Sequence, residues 1–250
     1  MRAILTYHSI DPSGSVISMT DTVFRSHVKW LGSGAIQVTG VEELLTLDPD
    51  EDAVAITFDD GFANFASTAW PVLREHGLPA TVFVVTDRVG GTNAWSDSET
   101  PAIPELPLLD WDTLGRLAEE GVELGSHTRT HARLPGLEPG TLAEEVAGAA
   151  DALEERAGVR PAGFAYPYGS LDEAAHRMVG DTYRWACTTE LGVLSIDPEA
   201  CRLPRLDAYY YQRSGLLERW GSAPFRTHLW LRAGARRLRS LVTSSRNGDG

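Results

Sequence analysis

Short apolar runs alternate with amphipathic segments along most of the chain. Ala3-Ile4-Leu5-Thr6-Tyr7, Ala35-Ile36-Gln37-Val38, Ala53-Val54-Ala55-Ile56 and Ala80-Thr81-Val82-Phe83-Val84-Val85 have the length and bounds of buried strands. Similar runs predict strands over 122–125, 163–166, 184–188 and 202–206. Between them, apolar positions recur at helical spacing. Phe24, Val28 and Leu31 mark a helix over about 22–31 capped by Thr20-Asp21, and Leu142, Val146, Ala149 and Leu153 mark a longer one over 141–157. Shorter helices are predicted over 41–47, 63–76, from Asp110 or Asp112 to Glu120, and over 172–179. Gly77 and Gly121 stand where two of them should stop. Residues 86–110 break the rhythm with Gly, Pro, Ser, Thr and acids, plus Trp95, and a loop of that length inside a domain is usually functional or mobile.

Repeated strand–helix alternation predicts an α/β chain with a parallel sheet, either closed into a barrel or open and doubly wound. No glycine-rich nucleotide fingerprint follows the first strand, which disfavours the open sheet. His8, Asp59, Asp60, His127 and Tyr166-Pro167-Tyr168 all follow predicted strands. In a parallel barrel those ends share one face, so the scattered polar residues are expected to converge. No internal repeat or second domain is visible. The expected division is a barrel over 1–210 and a basic, amphipathic C-terminal tail over 211–250.

Length and composition fit one large domain: 250 residues, 42% of them hydrophobic, are enough to bury a full core. The net charge of −13 makes nucleic acid an unexpected partner. The charge is uneven, because residues 202–250 hold ten Arg and three acids, a net +7, which leaves −20 on residues 1–201. In the tail, Leu216–Trp220 and Leu229–Leu241 mix Trp, Leu and Arg at helical spacing. Two readings stand there: a helix packed on the barrel with a solvated Arg face, or peripheral contact with an anionic membrane or partner. Residues 243–250 read as frayed. Cys187 and Cys201 read as buried free thiols. No charged segment followed by a long apolar one precedes the first strand, so the chain as written reads as cytoplasmic, an exported chain without its leader being the alternative.

Candidate chemistry starts at Thr57-Phe58-Asp59-Asp60-Gly61. Two adjacent carboxylates end a strand, and side-chain alternation sends them in different directions, so different roles are expected. Like charges this close are costly unless a cation or proton lies between them. Asp-Asp-Gly is also ordinary turn chemistry. His127 and His131, four apart, offer two imidazoles to one side, and with Asp60 they make a donor set suited to zinc with an open position. Alone, two such histidines serve equally as core or surface residues.

Taken together, these stretches resemble the polysaccharide deacetylases of the NodB-homology, carbohydrate esterase family 4 type. Thr57-Phe58-Asp59-Asp60-Gly61 matches the family's first motif, Ser126-His127-Thr128-Arg129-Thr130-His131 the second, and Tyr166-Pro167-Tyr168-Gly169 most of the third. The resemblance covers about residues 1–207. It implies a distorted (β/α)7-type barrel, with Asp60, His127 and His131 as ligands of zinc or another divalent ion such as cobalt. It makes Asp59 the general base, and the backbone N–H of Tyr168 a donor to the developing oxyanion. The implied reaction is hydrolysis of an acetamide on a saccharide.

Two departures matter. The Arg that usually opens the third motif is replaced by Ala165, and the late Leu-x-His motif is absent. The early Tyr7-His8 resembles the circularly permuted exopolysaccharide subgroup that acts on poly-N-acetylglucosamine, which makes His8 the acid and leaves Arg205 as a replacement for the orienting Arg. A core histidine and a surface salt bridge are the plainer readings of those two. Trp95, Tyr166, Pro167 and Tyr168 are expected to frame the sugar, Trp95 and Tyr168 by stacking. His27, His76 and His176 are expected to be structural, and Asp97 and Asp110 to be turn or cap residues. The main expectation is N-deacetylation of N-acetylhexosamine units. O-acetyl ester or peptidoglycan substrates, and a noncatalytic carbohydrate-binding member, are its rivals.

Overall fold

The computed structural model describes residues 1–95 and 103–246, the last ten by backbone alone. Ten strands occur among them: β1 (Arg2–Tyr7), β2 (Ser9–Ile10), β3 (Ser18–Met19), β4 (Gln37–Thr39), β5 (Ala53–Phe58), β6 (Thr81–Val84), β7 (Glu123–Ser126), β8 (Gly163–Ala165), β9 (Trp185–Leu191) and β10 (Leu203–Asp207). Seven of them close a parallel ring in the order β1-β10-β9-β8-β7-β6-β5, with β5 returning to β1 through the register Leu5↔Ile56 and Tyr7↔Phe58. The ring is distorted at β5. Its first half pairs with β4 (Val38↔Val54) and its last residues with β6 (Thr57↔Thr81), so two strands share one edge.

Side chains obey the period of two. Ile4, Ala53, Ala55, Phe83, Trp185, Cys187 and Leu203 point into the barrel, while Leu5, Tyr7, Val54, Ile56 and Phe58 face the surrounding helices. Large rings inside a small barrel need small neighbours. A Cβ on Gly163 would sit 2.2 Å from the Trp185 ring, and one on Gly125 2.5 Å from the Phe83 ring. Arg2 seals the opposite end, donating to the carbonyls of Leu47 (2.9 Å) and Ser195 (3.1 Å).

The outer layer contains α1 (Asp21–Leu31), α2 (Val41–Thr46), α3 (Trp70–Glu75), α4 (Trp111–Glu119), α5 (Pro139–Ala143), α6 (Ala149–Ala157), α7 (Glu173–Thr182) and α8 (Ala223–Arg246). The helix expected over 63–76 begins with a π-turn at Phe65–Ala69. The one expected over 141–157 starts earlier, at Pro139, and carries a π-turn at Glu144–Gly148. Asp110 and Asp172 cap α4 and α7 through their side chains. Asp97 lies outside the described residues. Cys187 is buried, but Cys201 is only half-buried, because it lies after β9 rather than on a strand.

The tail is anchored to the barrel. Tyr211, Leu217 and Phe225 belong to the same core as α1 and β1, so packing continues across residue 210. Phe225 stacks on Tyr211 at 5.1 Å, and Trp220 meets Trp30 at 6.0 Å. The first tail segment is a 3-10 turn at Leu217–Arg219, and the backbone of 243–246, expected to fray, continues α8.

Candidate active site

Strand ends on one face of the ring deliver the predicted residues. Asp59 is the next inward position after Ala55 and Thr57, and it lies over the barrel interior. There Arg205, 2% exposed, meets it with both prongs: Nη1 to Oδ1 at 2.6 Å and Nη2 to Oδ2 at 2.7 Å. Arg205 Nε donates to the Thr188 carbonyl at 3.0 Å, which fixes the plane of the fork. Burial by itself raises the Asp59 pKa, but the Arg205 charge and hydrogen bonds outweigh it and hold the carboxyl below its ordinary value.

Asp60 turns away, with φ 72°, into a left-handed turn shared with Gly61. Burial would raise its pKa too, yet hydrogen bonds from His127 and His131 keep it well below the usual carboxylate range. Both imidazoles present Nε2 to Asp60 Oδ1 at 3.4 Å. The His127 Nδ1–H donates to the Ala165 carbonyl at 2.7 Å, which fixes the ring with Nε2 toward Asp60 and makes Nε2 the atom that could bind a metal in place of its proton. The Nδ1 of His131 meets the Tyr168 hydroxyl at 3.1 Å. One donor atom from each of Asp60, His127 and His131 lies within 4.8 Å of the others. Two imidazoles and a carboxylate on a buried floor open to one side fit a divalent transition metal with a vacant position.

Four described non-glycine residues have positive φ, and all belong to this site: Asp60, Thr128, His131 and Tyr168. Left-handed backbone costs about 1–2 kcal/mol per residue, so the surrounding contacts must enforce it. Glu145 supplies much of that enforcement. Its carboxylate accepts from the Arg129 N–H (2.9 Å), the Thr130 N–H (3.0 Å) and the Thr130 hydroxyl (2.7 Å), and so bolts the loop that carries both histidines. The sequence reading missed Glu145. Its signal was an acid on the apolar stripe of Leu142, Val146 and Ala149, and the π-turn at Glu144–Gly148 sets where it points.

His8, just beyond β1, lies across the opening with Nε2 3.8 Å from Asp59 Oδ2 and a quarter of its side chain exposed. A cavity of about 180 Å³ lies between it and the triad. Trp95 and Tyr168 stand on its rim, each with its ring 4.7 Å from that of His131. Tyr166 is fully buried and donates to the Cys201 carbonyl at 3.1 Å, while Pro167 is buried in the turn that presents Tyr168. Asn93, also missed, holds the Trp95 loop, with its amide bonding Pro104 O (3.0 Å) and Leu106 N (2.7 Å). His27, His76 and His176 lie apart from the site. His27 bonds Tyr7 and Tyr211, His76 bonds Val72 O, and His176 pairs with Glu199.

Comparison with known proteins agrees with this geometry. The family model described as polysaccharide deacetylase matches residues 46–182. The Bacillus subtilis protein YxkH is 30% identical over 209 residues, 81% of this chain and 70% of that protein. A poly-beta-1,6-N-acetyl-D-glucosamine N-deacetylase of Staphylococcus epidermidis is 25% identical over 203 residues, covering 76% and 67% of the two chains. Among solved structures, IcaB from Ammonifex degensii superposes with a TM-score of 0.70 at 21% identity, over 83% of this chain and 93% of that one. A polysaccharide deacetylase from Bacillus cereus superposes with a TM-score of 0.68 at 24% identity, but this chain spans only 64% of its length. With the three motifs matched in order and their residues gathered at one end of a seven-stranded barrel, the chain belongs to the polysaccharide deacetylase family, hydrolases of amide bonds.

Proposed function

We propose that this chain is a metal-dependent N-deacetylase of N-acetylhexosamine units in a polysaccharide or lipid-linked saccharide, with Asp60, His127 and His131 holding zinc or a similar divalent ion. The observation that carries the reading is the buried Arg205–Asp59 fork beside the Asp60, His127 and His131 donor set, with His8 across the same cavity. When bound, the ion supplies Lewis acidity and brings a water's pKa near ~7. Asp59 takes the proton from the attacking water, and Arg205 keeps that carboxylate ionised and aimed. His8 gives a proton to the amine nitrogen as the C–N bond breaks, so acetate and a free amine leave. The Tyr168 peptide N–H is assigned to the carbonyl oxygen as it gains charge.

Cavity size supports an exposed saccharide chain. At about 180 Å³ the cavity falls below the ~300 Å³ at which pockets begin to enclose a whole small ligand. It accepts an acyl group and leaves the sugar on the rim, against Trp95 and Tyr168. The name of the Staphylococcus epidermidis relative supports a β-linked N-acetylglucosamine polymer as the substrate class.

Elemental analysis paired with acetate release tests the proposal. The expected result is about one transition-metal ion per chain, lost in Asp60→Ala. Acetate should be released from N-acetylglucosamine oligomers and not from acetylated xylan. Preference for xylan would move the assignment to O-acetyl esters. Bound metal without turnover on any acetylated glycan would favour a noncatalytic binding role.

A further inference from the structure

The outer face of α8 has no use in the chemistry above. Phe225 is buried beneath the helix, yet Trp230 is 74% and Leu231 57% exposed on its far side. Their backbone positions share one helical face with Thr227 and Gly234, and Leu238, Leu241 and Val242 fall at the spacing that continues it in sequence. Arginines flank this stripe. Residues 208–246 carry eight Arg against a single acid, Glu218. Arg213, Arg219 and Arg232 have no carboxylate partner among the described residues. With His228, Tyr209 and Tyr210 they line a hollow of about 630 Å³ beside the helix.

The position of this surface relative to the catalytic opening is the second observation. Tyr209 lines both the basic hollow and the smaller one that holds His8 and the 52%-exposed Val16. Ala233 and Arg236, on the inner side of α8, border a groove with Gly169 and Thr189, and Thr189 also lines the catalytic cavity. The basic hollow and the inner side of α8 therefore adjoin the catalytic opening, and Trp230 and Leu231 project from the same helix.

We propose that α8 docks on an anionic lipid surface. Trp230 and Leu231 enter the headgroup boundary, Arg213, Arg219 and Arg232 meet lipid phosphates, and the catalytic opening faces saccharide close to the bilayer. Charge decides the occupant. A second copy would set arginines against arginines, whereas anionic headgroups complement them, and the −20 carried by residues 1–201 orients the chain tail-first. No described helix is long and apolar enough to cross a membrane, so α8 lies in the plane of the interface.

Co-sedimentation of the full chain with phosphatidylcholine vesicles, with and without phosphatidylglycerol, tests this without requiring turnover. Its outcome is therefore independent of the deacetylase reading. Binding should need phosphatidylglycerol and weaken with salt. Each arginine near such a surface is worth roughly fivefold in partition, so Arg219→Glu with Arg232→Glu should lower binding by at least roughly tenfold. Trp230→Glu with Leu231→Glu should abolish binding while circular dichroism and acetate release from soluble oligomers stay unchanged. The proposal is overturned if the full chain remains in the supernatant at low salt, or if both double variants bind like the parent. It is equally overturned if light scattering shows a dimer that the Trp230/Leu231 variant dissolves and no vesicle binding occurs.

Discussion

Arg205 and Asp59 lie 146 residues apart in sequence and form a two-pronged ion pair, 2.6 and 2.7 Å, at the top of the barrel interior. Breaking such a buried pair from one side leaves an uncompensated charge and costs about 3–5 kcal/mol. Arg205→Met should therefore lower stability by that order in urea titrations. Arg205→Lys keeps the charge but loses the fork, so it should recover stability in part and leave turnover low. If Arg205→Met matched the parent in both melts and turnover, the orienting role would be excluded.

His8 is separable from the metal-ligand set. His8→Ala should retain the parental metal content and melting temperature, and lose roughly 10²–10⁴ in turnover, the range expected for a missing general acid. Full parental turnover in this variant would remove His8 from the mechanism.

Glu145 touches neither substrate nor the metal-ligand atoms, so its effect should appear as metal affinity. Glu145→Ala frees the backbone that holds His127 and His131, and losses of about 10–100-fold in affinity follow from removing such support. Chelator competition measures this. Glu145→Gln should rescue in part, because its amide oxygen still accepts from Thr130.

Gly163 tests the packing beneath the site. Gly163→Ala sets a methyl 2.2 Å from the ring of Trp185, which is buried and packed edge-on against Phe83 at 5.7 Å. Overpacking of this kind costs about 1–3 kcal/mol, and it should show as a lower urea midpoint with an unchanged slope.

The strands were readable because barrel walls bury both faces and leave continuous apolar runs. Ala53–Phe58 and Thr81–Val84 appear close to where their hydrophobicity predicts. The pairs β2 and β3, two residues each, carry no comparable signal, and their ladder rests on Asp11 accepting from the Ser9 and Ser18 hydroxyls. The π-turns escaped for a similar reason. A helix with one wider turn keeps nearly the same apolar spacing, so only packing reveals it.

The order of strand-end motifs determined the family, the parallel barrel and the gathering of Asp59, Asp60, His127 and His131 at one end, because side-chain period and strand direction are local rules. Sequence could not decide that Arg205 supplies the guanidinium absent at Ala165. Nor could it decide that Glu145 bolts the histidine loop, or that Trp230 and Leu231 remain uncovered while Phe225 is buried. Those outcomes depend on which distant side chains fill the same volume, and only the closed ring brings residues 59, 145 and 205 around one site.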